Sequence, residues 1–309
     1  MDIKISTNKF NIPKINFRSG EDKKNITTPN NSKLEKTPQN DTFEMSVGYV
    51  NDEHGQTNNM MRILSGLKGD LKVSAGDNDI GDEKNKAVHR ATMKFLNLAN
   101  ITATALGNHE MDTTQSDLLD SIEDYEGDIL ATNMNQEDVE AEDPKDVEEL
   151  GRAPLINKLK NSKIVDVKGE KIGLVGASPI DMFDRLTHPN YHTDCSIDAL
   201  EDTIDDIQDE VDKMKEQGIN KIFLLSHLGH QKDQIVAQNT KDIDVIIGGH
   251  THELVKDIKE GENLFYNEDG EPVVLTEAGR DGAYFGKLDL TFDKNGVITK
   301  AQNNLGETR

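Results

Sequence analysis

The sequence has one cysteine, Cys195, in 309 residues, so it can form neither an intrachain disulfide nor a cysteine-rich zinc site. It is also short of apolar residues, which make up 34% of the chain, and no run approaches the roughly 20 that a membrane-spanning helix needs. No uninterrupted apolar segment follows Met1–Ile5, so we see no secretory signal peptide. From the chain as given we expect a cytoplasmic protein without a membrane span.

Positive charge is scarce: 35 lysines and arginines face 58 aspartates and glutamates, and the formal net charge is −23. This deficit argues against a nucleic-acid-binding groove, because phosphate backbones are held by an excess of Lys and Arg. It argues equally against binding to an anionic membrane surface. A protein this acidic needs local positive charge to handle an anionic substrate, and bound metal ions can supply it.

Residues 1–43 differ in composition from the rest of the chain. They are rich in Asn, Lys, Ser, Thr and Pro and contain few large apolar residues. Such a segment cannot bury enough surface to offset its ordering entropy, so we predict a disordered N-terminal arm. Residues 44–309 are predicted to form the folded domain, with order beginning near Met45. A dense acidic stretch within it, 136–150, is interpreted as a surface loop.

Predicted strands and helices alternate along the folded domain, which indicates an α/β layered fold. Eight apolar segments are predicted strands: Ser46–Val50, Leu71–Ala75, Ile101–Leu106, Lys171–Val175, Lys221–Leu225, Asp244–Ile247, Val273–Leu275 and Ala283–Phe292. Lys86–Leu98 fits an amphipathic helix. A second helical stripe runs from Ile197 to Met214, with Ser196 as its N-cap and Gly218 as its C-terminal stop.

Five clusters rich in Asp, Asn and His directly follow predicted strands. They are Asp52-Glu53-His54-Gly55, Gly76-Asp77, Gly107-Asn108-His109-Glu110, Ser226-His227 and Gly248-Gly249-His250-Thr251-His252. In α/β sheets ligands bind beyond the carboxyl ends of the strands, so we expect these side chains to meet. Oxygen and imidazole ligands gathered there can hold two divalent metals, and a metal pair suggests hydrolysis of a phosphate ester.

Residue spacing suggests how these side chains divide. In extended backbone, residues i and i+2 point to the same side, so Asp52 and His54 can bind one metal together. The same spacing in His250 and His252 is a good metal signal, because two imidazoles on one side are rarely needed for packing. Asp77 can bridge two cations through its two carboxylate oxygens.

Asn108 and His109 are adjacent and therefore point to opposite sides of an extended chain. The amide oxygen of Asn108 can bind a hard metal, while His109 faces the substrate and acts as an acid. Asp112, three residues on, can reach the imidazole and hold it protonated and oriented. The alternative, a turn with a helix-capping Asn, suits any one of these residues but explains the whole set poorly.

Several other histidines and aspartates have a simpler explanation than metal binding or catalysis. His227 ends an apolar strand and, taken alone, would be a core histidine satisfied by the backbone. We predict solvated or loop-capping roles for Asp79 and Asp82. His89 is predicted to lie on the surface of a helix, and His230 is predicted to lie in a loop.

Taken in this order, the five clusters resemble the calcineurin-like metallophosphoesterase superfamily, and most closely its 5′-nucleotidase branch. The segment 278–286 is similar to the end of that family's catalytic domain, and the resemblance covers residues 45–298. It implies a four-layer α-β-β-α sandwich of two packed sheets, with a dinuclear metal site at the carboxyl ends of the strands. Full-length 5′-nucleotidases carry a second, C-terminal domain that binds the nucleoside. We expect this chain, which ends at Arg309, to hold the catalytic domain alone.

The resemblance also implies roles for individual residues. The first metal would be bound by Asp52, His54, Asp77 and His252. The second metal would be bound by Asp77, Asn108, His227 and His250. The family's catalytic pair is matched by His109 and Asp112. No substrate-binding residue is assigned, and the mixed ligands suit Mn, Zn, Fe, Co or Mg.

We therefore hypothesise that the protein hydrolyses a small phosphomonoester, above all a nucleotide, with two divalent metals. The first alternative is a phosphodiesterase acting on cyclic nucleotides or other diesters, since the same metal core serves both reactions. The second alternative is a binding module that keeps the metals without turnover. The intact pair of His109 and Asp112 argues against that module. Members of the family are often exported, in contrast to the cytoplasmic location expected above.

Overall fold

Two β-sheets form the centre of the protein. The computed structural model describes residues 42–79, 86–136, 155–186 and 194–308. The strands in these ranges are β1 Phe43–Val50, β2 Leu71–Ser74, β3 Ala103–Ala105, β4 Asp128–Leu130, β5 Met134–Gln136, β6 Leu159–Lys160, β7 Ser162–Val167, β8 Glu170–Ala177, β9 Cys195–Ile197, β10 Ile222–Ser226, β11 Val245–Ile247, β12 Leu264–Tyr266, β13 Pro272–Thr276, β14 Tyr284–Phe292 and β15 Ile298–Glu307.

Parallel pairing dominates the middle of both sheets. The first sheet has seven strands in the order β15-β14-β1-β2-β3-β4-β6, and the second has six in the order β12-β13-β11-β10-β8-β7. Strands β1, β2 and β3 pair in parallel, as do β10 and β11. Strands β14 and β15 extend the first sheet with antiparallel pairing. Because parallel strands end at the same edge of a sheet, the loops that follow them emerge side by side.

Apolar side chains from both sheets form one buried core between them. Along β1, Val47 and Tyr49 point into this core, while Val50 packs on the opposite face of the sheet. Along β10, Phe223 points into the same core and Leu224 packs on the other side. The alternation follows from the two-residue period of an extended strand, and it leaves each sheet with an apolar outer face to cover.

Helices cover those outer faces. They are α1 Thr57–Gly66, α2 Lys86–Ala99, α3 Gln115–Ile122, α4 Met182–Arg185, α5 Leu200–Glu216 and α6 His230–Asn239, with 3-10 helices at His109–Asp112 and Leu155–Lys158. Helices α1, α2 and α3 share a core with the first sheet, and α5 and α6 share one with the second. The layers therefore follow the order α-β-β-α, which confirms the predicted sandwich. No helix in the described ranges has the length and apolar character needed to cross a membrane.

One difference from the predicted elements lies before α5. The apolar period placed Ile197 in the helix and Ser196 at its N-cap, but both residues belong to β9, which pairs antiparallel with β5. Helix α5 begins at Leu200 instead. The helical spacing of apolar residues continues through Ile197 by coincidence. Pairing with β5 determines the structure of this segment instead, because the hydrogen bonds between the strands satisfy its backbone N–H and C=O groups. Gly218, with φ of +79°, follows the helix as predicted.

Two predictions concern residues that lie largely outside the described ranges. The N-terminal arm, 1–43, overlaps them only at its last two residues, and β1 already begins at Phe43. The acidic loop, 136–150, overlaps them only at Gln136. Both remain predictions.

A hydrogen bond inside the central core offers a test of the sandwich. The buried Tyr49 hydroxyl lies 2.6 Å from Thr276 Oγ1 on β13 and donates to Asn303 Oδ1 on β15 at 2.9 Å, so it links the two sheets. We expect Tyr49→Phe to lower the free energy of unfolding by about 1–3 kcal/mol, because both partners would stay buried without it. Urea denaturation measures this loss. The matched change at the half-exposed Tyr266, Tyr266→Phe, should leave stability unchanged; an equal loss in both variants would contradict the link.

Candidate functional site

Side chains from both sheets meet where the parallel strands end. Asp52 follows β1, Asp77 follows β2, His227 follows β10 and His250 follows β11. The His227 Nε2 atom lies 2.9 Å from Asp77 Oδ2. The backbone N–H of His250 donates to both carboxylate oxygens of Asp52 at 3.1 Å. These contacts connect the first sheet to the second and create one polar site.

The described residues of this site include three groups that could each hold a metal ion. The groups are Asp52-His54-His252, Asp77-His227-His250 and His54-Asp77-His109. Within each group the ligand atoms lie within 4.8 Å of one another. Asn108 belongs beside the second group, because its Oδ1 atom lies 3.0 Å from His250 Nδ1. The structure thus brings together the seven residues predicted as metal ligands, with His109 beside them.

Left-handed backbone turns place several of these side chains. Positive φ angles of 53°, 46°, 50°, 74° and 60° occur at Asp52, His54, Asp77, His250 and His252. Residues other than glycine rarely adopt this conformation, which costs about 1–3 kcal/mol each and is concentrated at functional sites. The expectation of extended backbone is therefore wrong. His250 and His252 do not share one side of a strand but enter two different groups.

The segment that carries the expected acid is helical. Asn108 has φ −77° and ψ −30° and precedes the 3-10 helix His109–Asp112, so it is not extended either. His109 Nδ1 lies 2.7 Å from Asp112 Oδ2, the contact that their spacing predicts. The hydrogen bond to Asp112 raises the pKa of His109, against the opposing effect of burial. The backbone N–H of His109 also donates to Asp77 Oδ1 at 2.8 Å.

Two histidine rings show where a cation would fit. His54 Nε2 and His227 Nε2 are buried and have no hydrogen-bond partner within the described ranges. The other ring nitrogens are occupied: His227 Nδ1 lies 2.7 Å from the Ala75 carbonyl, and His54 Nδ1 lies 3.0 Å from Asp281 Oδ1. Each Nε2 is therefore the atom that would bind a cation held between the ring and the aspartates. Imidazole nitrogens beside carboxylate oxygens form a donor set that fits divalent metals.

His250 gives a second indication of a cation. Its Nδ1 lies 3.0 Å from Asn108 Oδ1 and its Nε2 lies 3.2 Å from Asp181 Oδ1. A neutral imidazole has one N–H group, so one of these contacts brings two acceptor atoms together. Burial and the nearby His227 lower the pKa of His250 to about 4, so protonation does not relieve the contact at neutral pH. A metal ion on the ring would relieve it.

Buried carboxylates make the site negative. Burial alone would raise the pKa of Asp77, but the charge of His227 and the close approach of the His227 and His54 rings hold it well below its usual range. Burial lowers the pKa of His227, but the charges of Asp77 and Asp52 outweigh burial and raise the pKa to about 10. Asp77 is therefore ionised at neutral pH, as a cation ligand must be.

Glu110 is a site residue whose role the sequence did not reveal, although it belongs to the Gly-Asn-His-Glu cluster. Its buried carboxylate accepts the backbone N–H groups of Asp77 at 3.1 Å, Asn78 at 2.7 Å and Gly107 at 2.9 Å. One side chain therefore ties the loop after β2 to the loop after β3. The position of Asp77 depends on this connection.

Asp281 and Asp181 were not predicted as site residues. Asp281 contacts His54 and Asp181 contacts His250, each from a loop distant in the sequence. No fixed sequence spacing links either aspartate to its histidine, so the sequence pattern does not reveal the contact. The resemblance of segment 278–286 to a catalytic domain was the one signal that pointed to Asp281.

The predictions for His89 and Asp79 are wrong in one respect each. His89 lies on helix α2, as predicted, but it is buried and its Nδ1 pairs with Asp79 Oδ2. Asp79 is likewise buried instead of solvated. The pairing gives each buried group a hydrogen-bond partner within the protein. His230 begins helix α6 instead of lying in a loop, and Asp82 lies outside the described residues.

Comparisons with known proteins agree with this geometry. The family model for calcineurin-like phosphoesterases matches residues 45–254, more than half of the chain. The chain is 32% identical over 219 residues to a 5′-nucleotidase of Diplobatis ommata, a match that covers 68% of this chain and 35% of that protein. It is 28% identical over 295 residues to a "Probable 5′-nucleotidase" of Treponema pallidum (strain Nichols), which covers 84% of this chain and 47% of that protein.

A solved structure shows the same likeness. The NAD nucleotidase NadN of Haemophilus influenzae is similar at a TM-score of 0.66 and 25% sequence identity, with 84% of this chain and 50% of that chain covered. The present chain thus spans half or less of the length of each of these three proteins.

The role of Glu110 leads to a stability prediction. We expect Glu110→Gln to destabilise the protein by about 1–3 kcal/mol, because its new NH₂ group would face backbone N–H donors and leave them unpaired. Chemical denaturation measures the change. Glu123→Gln, at an exposed position, is the matched control and should be neutral. Wild-type stability in Glu110→Gln would show that the backbone donors find other acceptors.

Proposed function

The chain belongs to the calcineurin-like phosphoesterase family, and we propose that it is a metal-dependent phosphomonoesterase that acts on nucleotides. One observation carries the proposal: two metal-ligand groups lie side by side at the strand ends, with the pair of His109 and Asp112 next to them. The 5′-nucleotidases among the relatives support the choice of a nucleotide. The substrate would be a small phosphorylated molecule.

We propose that the site holds two divalent metals, chosen from Mn, Zn, Fe, Co or Mg. The first set of ligands is Asp52, His54, Asp77 and His252. The second set is Asp77, Asn108, His227 and His250. Bound metals would supply the positive charge that stabilises phosphoryl oxygens and would activate water at neutral pH. Asp77 belongs to both sets, since its Oδ2 lies 3.7 Å from His54 Nε2 and 2.9 Å from His227 Nε2.

His109 is proposed to hold the proton that the leaving oxygen receives. Asp112 accepts a hydrogen bond from His109 Nδ1 at 2.7 Å, which leaves Nε2 as the atom that can face a substrate. Asp112 is buried, whereas 38% of the His109 side chain is exposed, so the ring can contact a ligand. The hydrogen bond to Asp112 raises the pKa of His109, and a raised pKa favours the protonated ring that a general acid requires.

His109 also lies within ligand distance of His54 and Asp77, so its role needs a direct test. We expect His109→Ala to lower kcat by about 10²- to 10⁴-fold, the usual contribution of a general acid, while metal content stays unchanged. Metal analysis of the purified variant beside a turnover assay checks both parts. His252→Ala is the matched control and should lose metal. Loss of metal from His109→Ala would show that His109 is a ligand.

A substrate panel tests the reaction class. We expect the metal-loaded protein to release phosphate from nucleoside 5′-monophosphates faster than it cleaves bis(4-nitrophenyl) phosphate, a diester. Treatment with EDTA should abolish turnover, and added Mn²⁺ should restore it, because the acidic site would repel phosphate without metal.

Each contrary outcome has a distinct meaning. Faster cleavage of the diester would make the protein a phosphodiesterase. A metal-loaded protein that is inactive on the whole panel would be a binding module. Undiminished turnover after thorough chelation would overturn the metal-dependent mechanism.

A further inference from the structure

Two histidines of the site direct their second ring nitrogen at an aspartate that belongs to neither proposed metal set. His54 Nε2 faces Asp52 and Asp77, and its Nδ1 lies 3.0 Å from Asp281 Oδ1. On the other side, His250 Nε2 lies 3.2 Å from Asp181 Oδ1, a buried oxygen that has no hydrogen-bond partner within the described ranges. His54 would bind the first metal and His250 the second.

The two aspartates share a second feature. Asp281 Oδ2 lies 3.3 Å from Arg280 Nε, and Asp181 Oδ2 lies 2.9 Å from Arg185 Nε. In each aspartate one oxygen thus faces a histidine and the other faces a guanidinium group. The arginine occupies one carboxylate oxygen, and the other oxygen faces the histidine ring and can accept its N–H.

The position of Asp281 is set by the backbone around it. Its N–H donates to the Asp52 carbonyl at 2.6 Å, and its own carbonyl accepts from Asn59 Nδ2 at 2.8 Å. Its φ angle is +58°, a conformation that a residue other than glycine adopts only where its surroundings impose it. The loop therefore presents the Asp281 carboxylate to His54 in a defined place.

His227 shows that a carboxylate is not a general requirement for histidines of this site. Its Nδ1 is oriented by the backbone carbonyl of Ala75 at 2.7 Å, inside the core. His54 and His250 lie nearer the surface, where such a carbonyl partner is replaced by a side chain.

We propose that Asp281 and Asp181 are positioning residues, one for each metal, which fix the tautomer and the ring orientation of His54 and His250. A carboxylate that accepts the outer N–H of a histidine leaves the inner nitrogen as a lone-pair donor and makes it a stronger ligand. The inference rests on the proposed dinuclear site. It adds to that site two residues that do not contact the metals.

Metal affinity separates this role from a merely structural one. The probe is Mn²⁺, titrated into the full chain after EDTA treatment and followed by calorimetry, with wild type expected to show two binding steps. We expect Asp281→Ala to weaken one step by about 10- to 100-fold and Asp181→Ala to weaken the other by a similar factor. The double variant should then weaken both steps. If both aspartates served one metal, the double variant would keep one step of wild-type affinity, and the assignment would be wrong.

Conservative and matched variants complete the experiment. Asp281→Asn and Asp181→Asn should recover part of the lost affinity, because the amide oxygen still accepts the ring N–H. Asp70→Ala is the control: Asp70 pairs with Lys168 at 2.7 Å but contacts no histidine in the described structure, and it should bind Mn²⁺ as wild type does. The side chains of Arg280 and Arg185 are 61% and 60% exposed, so these ion pairs contribute little to stability and the variants should fold.

The readout also distinguishes this inference from the proposed function. Wild-type Mn²⁺ affinity in both alanine variants would overturn the inference and leave hydrolysis by the wild type untouched. If the variants lose Mn²⁺ affinity as expected but the wild type hydrolyses no phosphoester, the proposed function is wrong. The positioning roles of the two aspartates would then still hold. A wild-type protein that binds no metal would overturn both.

Discussion

Buried negative charge at Asp52 and Asp77 is the constraint around which the site is arranged. Both carboxylates are nearly inaccessible to solvent, and an isolated buried charge costs several kcal/mol. The protein surrounds them with donors: Asn51 Nδ2 reaches Asp52 at 2.7 Å, and the His109 backbone N–H reaches Asp77 at 2.8 Å. Histidine rings face the remaining lone pairs. A metal cation bound at this place would replace the hydration that burial removes.

The sandwich sustains this arrangement. Left-handed backbone at the ligand positions and carboxylates in the interior both destabilise the folded state. Burial of the apolar core between the two sheets offsets this cost. The strands end within that core, so the loops that carry the ligands start from rigid points. Glu110 adds a second restraint, because it holds the loops after β2 and β3 together through backbone donors. Side chains fixed in this way need little rearrangement when a metal binds.

Much of the fold and of the candidate site could be predicted from local pattern. Apolar runs marked the strands, and polar clusters at their ends marked the residues that meet. The errors have a common physical cause. Ser196 was placed at a helix start because the apolar period continued through it, yet β9 pairs with a distant strand. The sequence favours a surface position for His89 and a solvated or loop-capping role for Asp79, yet the two side chains pair and are buried.

The sequence by itself determined which residue types stand at the strand ends, and so the class of chemistry that the site can perform. A carboxylate, an amide oxygen or an imidazole has the same donor atoms in any fold. Only the tertiary structure decided which of them lie close enough to share a cation and which residues contact them. His250 and His252 are two positions apart yet enter different groups, while Asp281 meets His54 across the molecule. Those choices depend on backbone turns and on contacts between distant loops, and a short stretch of sequence encodes neither.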